Sequence, residues 1–292
     1  MQRPSSEIRS ILAEMRTSRR SVFDDLLSVT EAQMNEEAQW AGGPMSVRFM
    51  FLRFPDHEEE HTLQIDGLLA NGGFHQTPAQ RILAAAEVTR GDLLATLVGL
   101  SDGDLDHTPE GEWPLRWTLA HIIQVERSYA RATMHAVALF QASEPWDAPA
   151  PVEPEPEDGD LASFIERLDA AREAAIESLS ELPNDALGAP SRWADRDVDV
   201  RFRLMRLAHH EREHTAHILK WRHQSRRVHT EAQHLLGLAW RARGVLNSHL
   251  VGAPDELLDR GPTNGDWPLR RLLDHIASTE HFLRNRILNA MP

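Results

Sequence analysis

The chain has 292 residues, enough for two domains of ordinary size that each bury a core. It contains no cysteine, which excludes disulfides, thiolate metal ligands and a cysteine nucleophile, so any metal must be held by nitrogen and oxygen. Acidic residues outnumber Lys plus Arg by 45 to 31, and the net charge of -14 repels phosphate backbones, which makes nucleic acid a poor partner.

The first residues, MQRPSSEIRSILAEM, lack an apolar run of signal-peptide length, and no stretch approaches the roughly 20 apolar residues of a membrane span. A soluble, cytoplasmic protein without a membrane partner is expected. Ile8, Leu12, Met15, Val22, Leu26 and Leu27 recur at helical spacing. Similar patterns follow over 79–100, 117–140, 161–182, 200–222, 232–250 and 269–288, and with the helix of the first H-E-x-x-H motif they predict about eight helices. Turn chemistry separates them at Gly72-Gly73, Asp102-Gly103-Asp104, Pro183-Asn184-Asp185 and Gly252-Ala253-Pro254. No segment alternates at period two, so no strand is expected. From Ala148 to Gly159, Pro149, Pro151, Pro154 and Pro156 sit among acidic residues and predict an exposed, extended strap inside one domain.

Laid on itself at an offset of 153, the chain places WAGGPMSVRFMFLRFPDHEEEHTLQI, from Trp40, on WADRDVDVRFRLMRLAHHEREHTAHI, from Trp193, with 12 of 26 positions identical. One residue further in offset, WPLRWTLAHIIQVE from Trp113 matches WPLRRLLDHIASTE from Trp267. The expected architecture is therefore two copies of one helical unit.

Within the repeats, His57 with His61 and His210 with His214 stand four apart, about 40° around a helix and one turn up, so both rings can address one ion. Three nitrogens with one open position make a catalytic zinc-type site, and the repeated His121 and His275 are the candidates for the third ligand. A lone histidine is usually a surface or satisfied core residue; here the same three positions carry histidine in both copies. His209 and His217, unmatched by Asp56 and Gln64, are read as supporting or surface residues. Glu58 and Glu211 follow their histidines by one residue and point off the ligand face, which, with no strand to hold a substrate, argues against an H-E-x-x-H zinc peptidase. Glu126 and Glu280, about 140° from His121 and His275, suit hydrogen bonds between helices rather than ligation. Arg48 and Arg201 are possible carboxylate partners. Trp113 and Trp267, each before a proline, and Trp40 and Trp193 are read as packing.

The succession W-x-x-x-x-x-L-x-H-I/L-x-x-x-E, a long connection and H-x-x-x-H-x-x-Q/H-I, complete from Trp113 to Ile218, resembles the DinB/YfiT-like superfamily of four-helix metalloenzymes. The resemblance implies an all-α fold, a complete bundle over 73–227 and a metal triad of His121, His210 and His214. It leaves 1–72 plus 228–292 to form a second, circularly permuted bundle with the triad His275, His57 and His61, closed within the chain or swapped in a homodimer. Pro55, where the other copy has Ala208, is expected to disturb the helix before His57. By resemblance the function is a thiol-dependent transferase or a hydrolase acting on a small molecule through a divalent metal, zinc or nickel or else iron, with a low-molecular-weight thiol as possible cofactor. The alternative is a non-catalytic metal-binding or stress-associated module. Catalytic and cofactor-binding residues are not legible.

Overall fold

Helical spacing becomes helix along most of the chain. The structure, a computed structural model, describes residues 6–261 and 267–291, and among them the α-helices are α1 (Glu7–Asp24), α2 (Val47–Asn71), α3 (Pro78–Leu97), α4 (Leu115–Ala142), α5 (Leu161–Leu179), α6 (Val200–Gln224), α7 (Glu231–Leu250) and α8 (Leu269–Ala290). The fold is all-α. No helix is long and apolar enough to cross a membrane among the described residues.

The expectation of no strand needs correction. β1 (Glu37–Trp40) pairs antiparallel with β2 (Gly43–Ser46), and β3 (Pro190–Trp193) with β4 (Arg196–Asp199). Four residues per strand are too few for period-two alternation to register. The ribbons close on the two-residue turns Ala41-Gly42 and Ala194-Asp195. Such turns favour backbone with positive φ, which Ala194 adopts at 50°, while in the other ribbon it is Gly43, the first residue of β2, that has φ 139°. Each ribbon delivers the chain into an H-E-x-x-H helix. Ser46 accepts the Phe49 N–H at 3.2 Å to cap α2, and Asp199 accepts the Phe202 N–H at 2.8 Å to cap α6.

The chain divides into two compact units, one of Met1–His75, Leu97–Gly99 and His229–Pro292, the other of Gln76–Thr96 and Leu100–Val228. In the first, α1, α2, α7 and α8 share one core that includes Ile8, Leu12, Ile65, Leu69, Leu246, Leu250, Leu272, Leu273 and Ile276. Full burial of each such side chain contributes roughly 1.5–3 kcal/mol. Asp255, ahead of α8, accepts the N–H groups of Glu7 and Ile8 at 2.8 and 3.0 Å and so caps α1 from the far end of the chain. α2 runs without a break through Pro55.

In the second unit, α3 to α6 bury Leu83, Leu93, Leu119, Ile122, Ile123, Phe164, Leu168, Leu204 and Ile218. Asp102 accepts the Leu161 N–H at 2.8 Å, capping α5 as Asp255 caps α1. The acidic strap is extended and largely exposed, yet it is fastened. Arg116 donates to the carbonyls of Glu157 and Gly159, Arg131 to that of Pro151, and Arg167 to those of Pro156 and Asp158. Glu155, alone in facing inward, pairs with Arg127 and Arg167.

Candidate metal centre

The two H-E-x-x-H helices present their histidines as the spacing requires, and the third ring arrives from α4 or α8. In the second unit, His210 Nε2 lies 3.1 Å from both His121 Nε2 and His214 Nε2. In the first, His57 Nε2 lies 3.1 Å from both His275 Nε2 and His61 Nε2. Pro55 therefore does not misplace His57. In each triad, one nitrogen of every ring lies within 4.8 Å of the other two. Imidazoles bound at roughly 2.0–2.1 Å to one tetrahedral ion would stand roughly 3.3 Å apart. Three neutral rings cannot all donate to one another through Nε2, and their converging lone pairs repel. A cation at the centre resolves that conflict, so the residues fit a divalent metal.

The electrostatics agree. Burial, with His214 and His121 beside it, pushes the His210 ring down to about 3. Burial with His121 and His217 takes His214 to about 4, and burial with His61 and His275 takes His57 to about 4. Burial also lowers His121, and burial with His61 and Arg271 lowers His275. These rings are uncharged at neutral pH and offer lone pairs. Their folded values lie below the ordinary 6.5, so as pH falls the unfolded chain takes up protons first. Metal-free protein is expected to hold its stability above about pH 6.5 and lose it progressively toward about pH 4. Urea midpoints measured at about pH 7.5 and about pH 5 check this, and equal midpoints would contradict it.

Beneath each triad lies a buried quartet of two arginines and two glutamates that the sequence reading did not identify. Glu211 accepts from Thr89 at 2.7 Å, Arg90 at 2.6 Å and Arg172 at 3.0 Å. Glu126 accepts from Arg90 at 2.7 Å and Arg172 at 2.5 Å. In the first unit, Arg19 and Arg243 both pair with Glu58 and Glu280. Burial alone would raise the Glu211 carboxyl; Arg172 and Arg90 outweigh it and hold the group below its usual range. Glu58 is held low in the same way by Arg19 and Arg243. The motif glutamates thus face the core, and Glu126 and Glu280 bond between helices as expected. A signal was available, because Arg19 and Arg172, and Arg90 and Arg243, also recur at the offset of 153.

The reading of the tryptophans as packing holds for two of the four. Trp40 packs edge-on against Phe49 and Phe282, and Trp193 lies beside Phe202 while its indole N–H donates to Tyr129 Oη at 3.2 Å. Trp113 and Trp267 instead touch the histidines. Trp113 stands edge-on to His121 at 5.4 Å and stacks over His214 at 6.4 Å, and it is half exposed. Trp267 stands edge-on to His275 at 5.0 Å, with Arg271 over its face. A cavity of about 260 Å³ opens beside the second-unit triad, its lining including Trp113, Thr118, His214, His217, Lys220 and Trp221. Arg48 finds a carboxylate in Glu231 at 2.6 Å, whereas Arg201 lines a surface groove with His209.

Compared with known families, residues 85–218 match the DinB superfamily, a span that contains His121, His210 and His214. No curated protein and no solved structure matches the chain.

Proposed function

We propose, from the match of residues 85–218 to the DinB superfamily, that the chain is a divalent-metal-dependent enzyme acting on a small molecule at the triad of His121, His210 and His214. The observation that carries this reading is the convergence of three uncharged imidazoles on one point at the edge of a cavity large enough for a small ligand. A divalent ion bound there would lower the pKa of a nucleophile and polarise an acceptor, the chemistry shared by thiol-dependent transfer and hydrolysis. The protein supplies the rest. His121, His210 and His214 would hold the ion, Trp113 shields two of the rings, and Trp221 and Thr118 shape the space left for substrate. Lys220, paired with Glu112 at the rim, offers a cation to an anionic substrate group. Zinc or nickel suits this all-imidazole set best, and iron is accommodated. A low-molecular-weight thiol is the proposed co-substrate.

A second reading, a metal ion that staples helices without catalysis, is favoured for His57, His61 and His275 by their surroundings. Where the second unit has His217, Lys220 and Trp221, the offset of 153 gives Gln64, Gly67 and Leu68. We read the first unit as the same bundle in permuted chain order.

Cobalt(II) separates the two readings. Protein loaded with cobalt is expected to develop a charge-transfer band on addition of 2-mercaptoethanol when only the His121 triad is intact, and none when only the His275 triad is. A silent His121 triad would overturn the catalytic assignment.

A further inference from the structure

The second histidine of each triad uses its other ring nitrogen in the same way. His61 Nδ1 lies 2.7 Å from Gln64 Oε1, and His214 Nδ1 lies 3.3 Å from His217 Nδ1. Both partners stand three residues further along the helix, where a side chain sits over the same face. The sequence treats these positions as unlike, an amide in one copy and an imidazole in the other. Their geometry makes them equivalent. An amide oxygen can only accept, so His61 must carry its proton on Nδ1, and Nε2 is left with the lone pair that faces His57 and His275.

His217 reaches the same end by a longer route. If His214 is to present a bare Nε2 to His210 and His121, its proton sits on Nδ1 and is donated to His217 Nδ1. That acceptance places the His217 proton on its own Nε2, so a residue lining the cavity offers a donor there. We propose that Gln64 and His217 are positioning residues which fix the tautomer of His61 and His214, and that the metal affinity of each triad depends on them. This rests on the reading of the triads as metal sites. Both positions are solvent-exposed, so water competes for each hydrogen bond. The effect belongs at the lower end of the usual range for such partners, about tenfold in affinity.

The test uses the full chain with one triad disabled. In a His275→Ala background, zinc affinity of the His121 triad is measured by competition with a chromophoric chelator. Adding His217→Ala is expected to weaken zinc binding about tenfold and leave the melting temperature of the metal-free protein unchanged. His217→Gln substitutes the shorter amide contact seen at Gln64 and is expected to bind zinc at least as tightly as the parent. In a His121→Ala background, Gln64→Ala is expected to weaken the other triad similarly.

Unchanged affinity in His217→Ala, or a His217→Gln protein as weak as His217→Ala, would overturn the proposal. So would a fall in metal-free melting temperature large enough to account for the lost affinity, which would make His217 a packing residue. Failure of the parent to take up zinc at all would remove the metal reading together with this inference, and that outcome is distinct from the other three.

Discussion

Glu211→Gln is expected to cost the metal-free chain about 3–5 kcal/mol of stability, the usual penalty for breaking one member out of a buried ion network. Glu211 is 1% exposed and accepts hydrogen bonds from Arg90, Arg172 and Thr89. With the charge removed, two buried guanidinium groups would share Glu126 as their remaining close carboxylate partner, with Glu87 and Asp169 at 3.5 Å or more. The amide also aims an N–H at donors that need acceptors. The melting temperature is expected to fall on the order of 10 °C. Glu58→Gln should behave alike in the first unit, because Arg19 and Arg243 surround it in the same way. Replacing a whole quartet with well-packed apolar residues would be far milder, since the desolvation cost of four charges offsets much of their attraction.

The same substitution separates two chemistries. In an H-E-x-x-H peptidase the glutamate activates water, and changing it to glutamine removes activity while the fold survives. Here the carboxylate is already engaged by two arginines in the core. A Glu211→Gln protein with unchanged urea midpoint would show that the quartet does not bear on stability and would reopen the peptidase reading. That reading is no longer opposed by an absence of strands, since β1 to β4 exist; it is opposed by where Glu58 and Glu211 point.

Why some of this was legible in sequence and some was not follows from the range of each signal. Helices of 18 to 28 residues carry several turns of periodic burial, so α1 to α8 appear in the pattern, and an i, i+4 histidine pair carries its own geometry. His121 and His275 were identifiable because each lies in a repeated stretch. The β-ribbons escaped because four-residue strands are shorter than the window in which alternation is measured. The arginines of the quartets escaped for a different reason: Arg19, Arg90, Arg172 and Arg243 sit at core positions, where sequence patterning expects apolar residues. Their charge makes sense only beside Glu58, Glu126, Glu211 and Glu280, which come from other helices. The roles of Trp113 and Trp267 escaped because a proline-preceding aromatic residue fits packing equally well. Only tertiary placement puts those rings against His121 and His275.

Metal counting is expected to resolve the two triads one at a time. Wild-type protein, stripped and reloaded with zinc or nickel, should hold two ions per chain, one for each group of three histidines. His121→Ala and His275→Ala should each hold one, and the double variant none. Removing one of three protein ligands leaves two imidazoles on the H-E-x-x-H helix, too few for the four-coordinate geometry that gives zinc its affinity. Each ion would also crosslink two helices that are distant in the chain, α4 with α6 or α8 with α2, and would stabilise only the folded state. Ligand at a hundred times its dissociation constant adds about 2.7 kcal/mol, so chelation should lower the melting temperature measurably in wild type and not at all in the double variant. His275→Ala bears hardest on the first unit, because its third ligand reaches His57 and His61 only if the two ends of the chain assemble as α1, α2, α7 and α8 do. If that variant still holds two ions, His275 is not a ligand; if it holds none, the two sites are not independent. One ion retained, with the cobalt response to thiol intact, places the reactive centre on His121, His210 and His214.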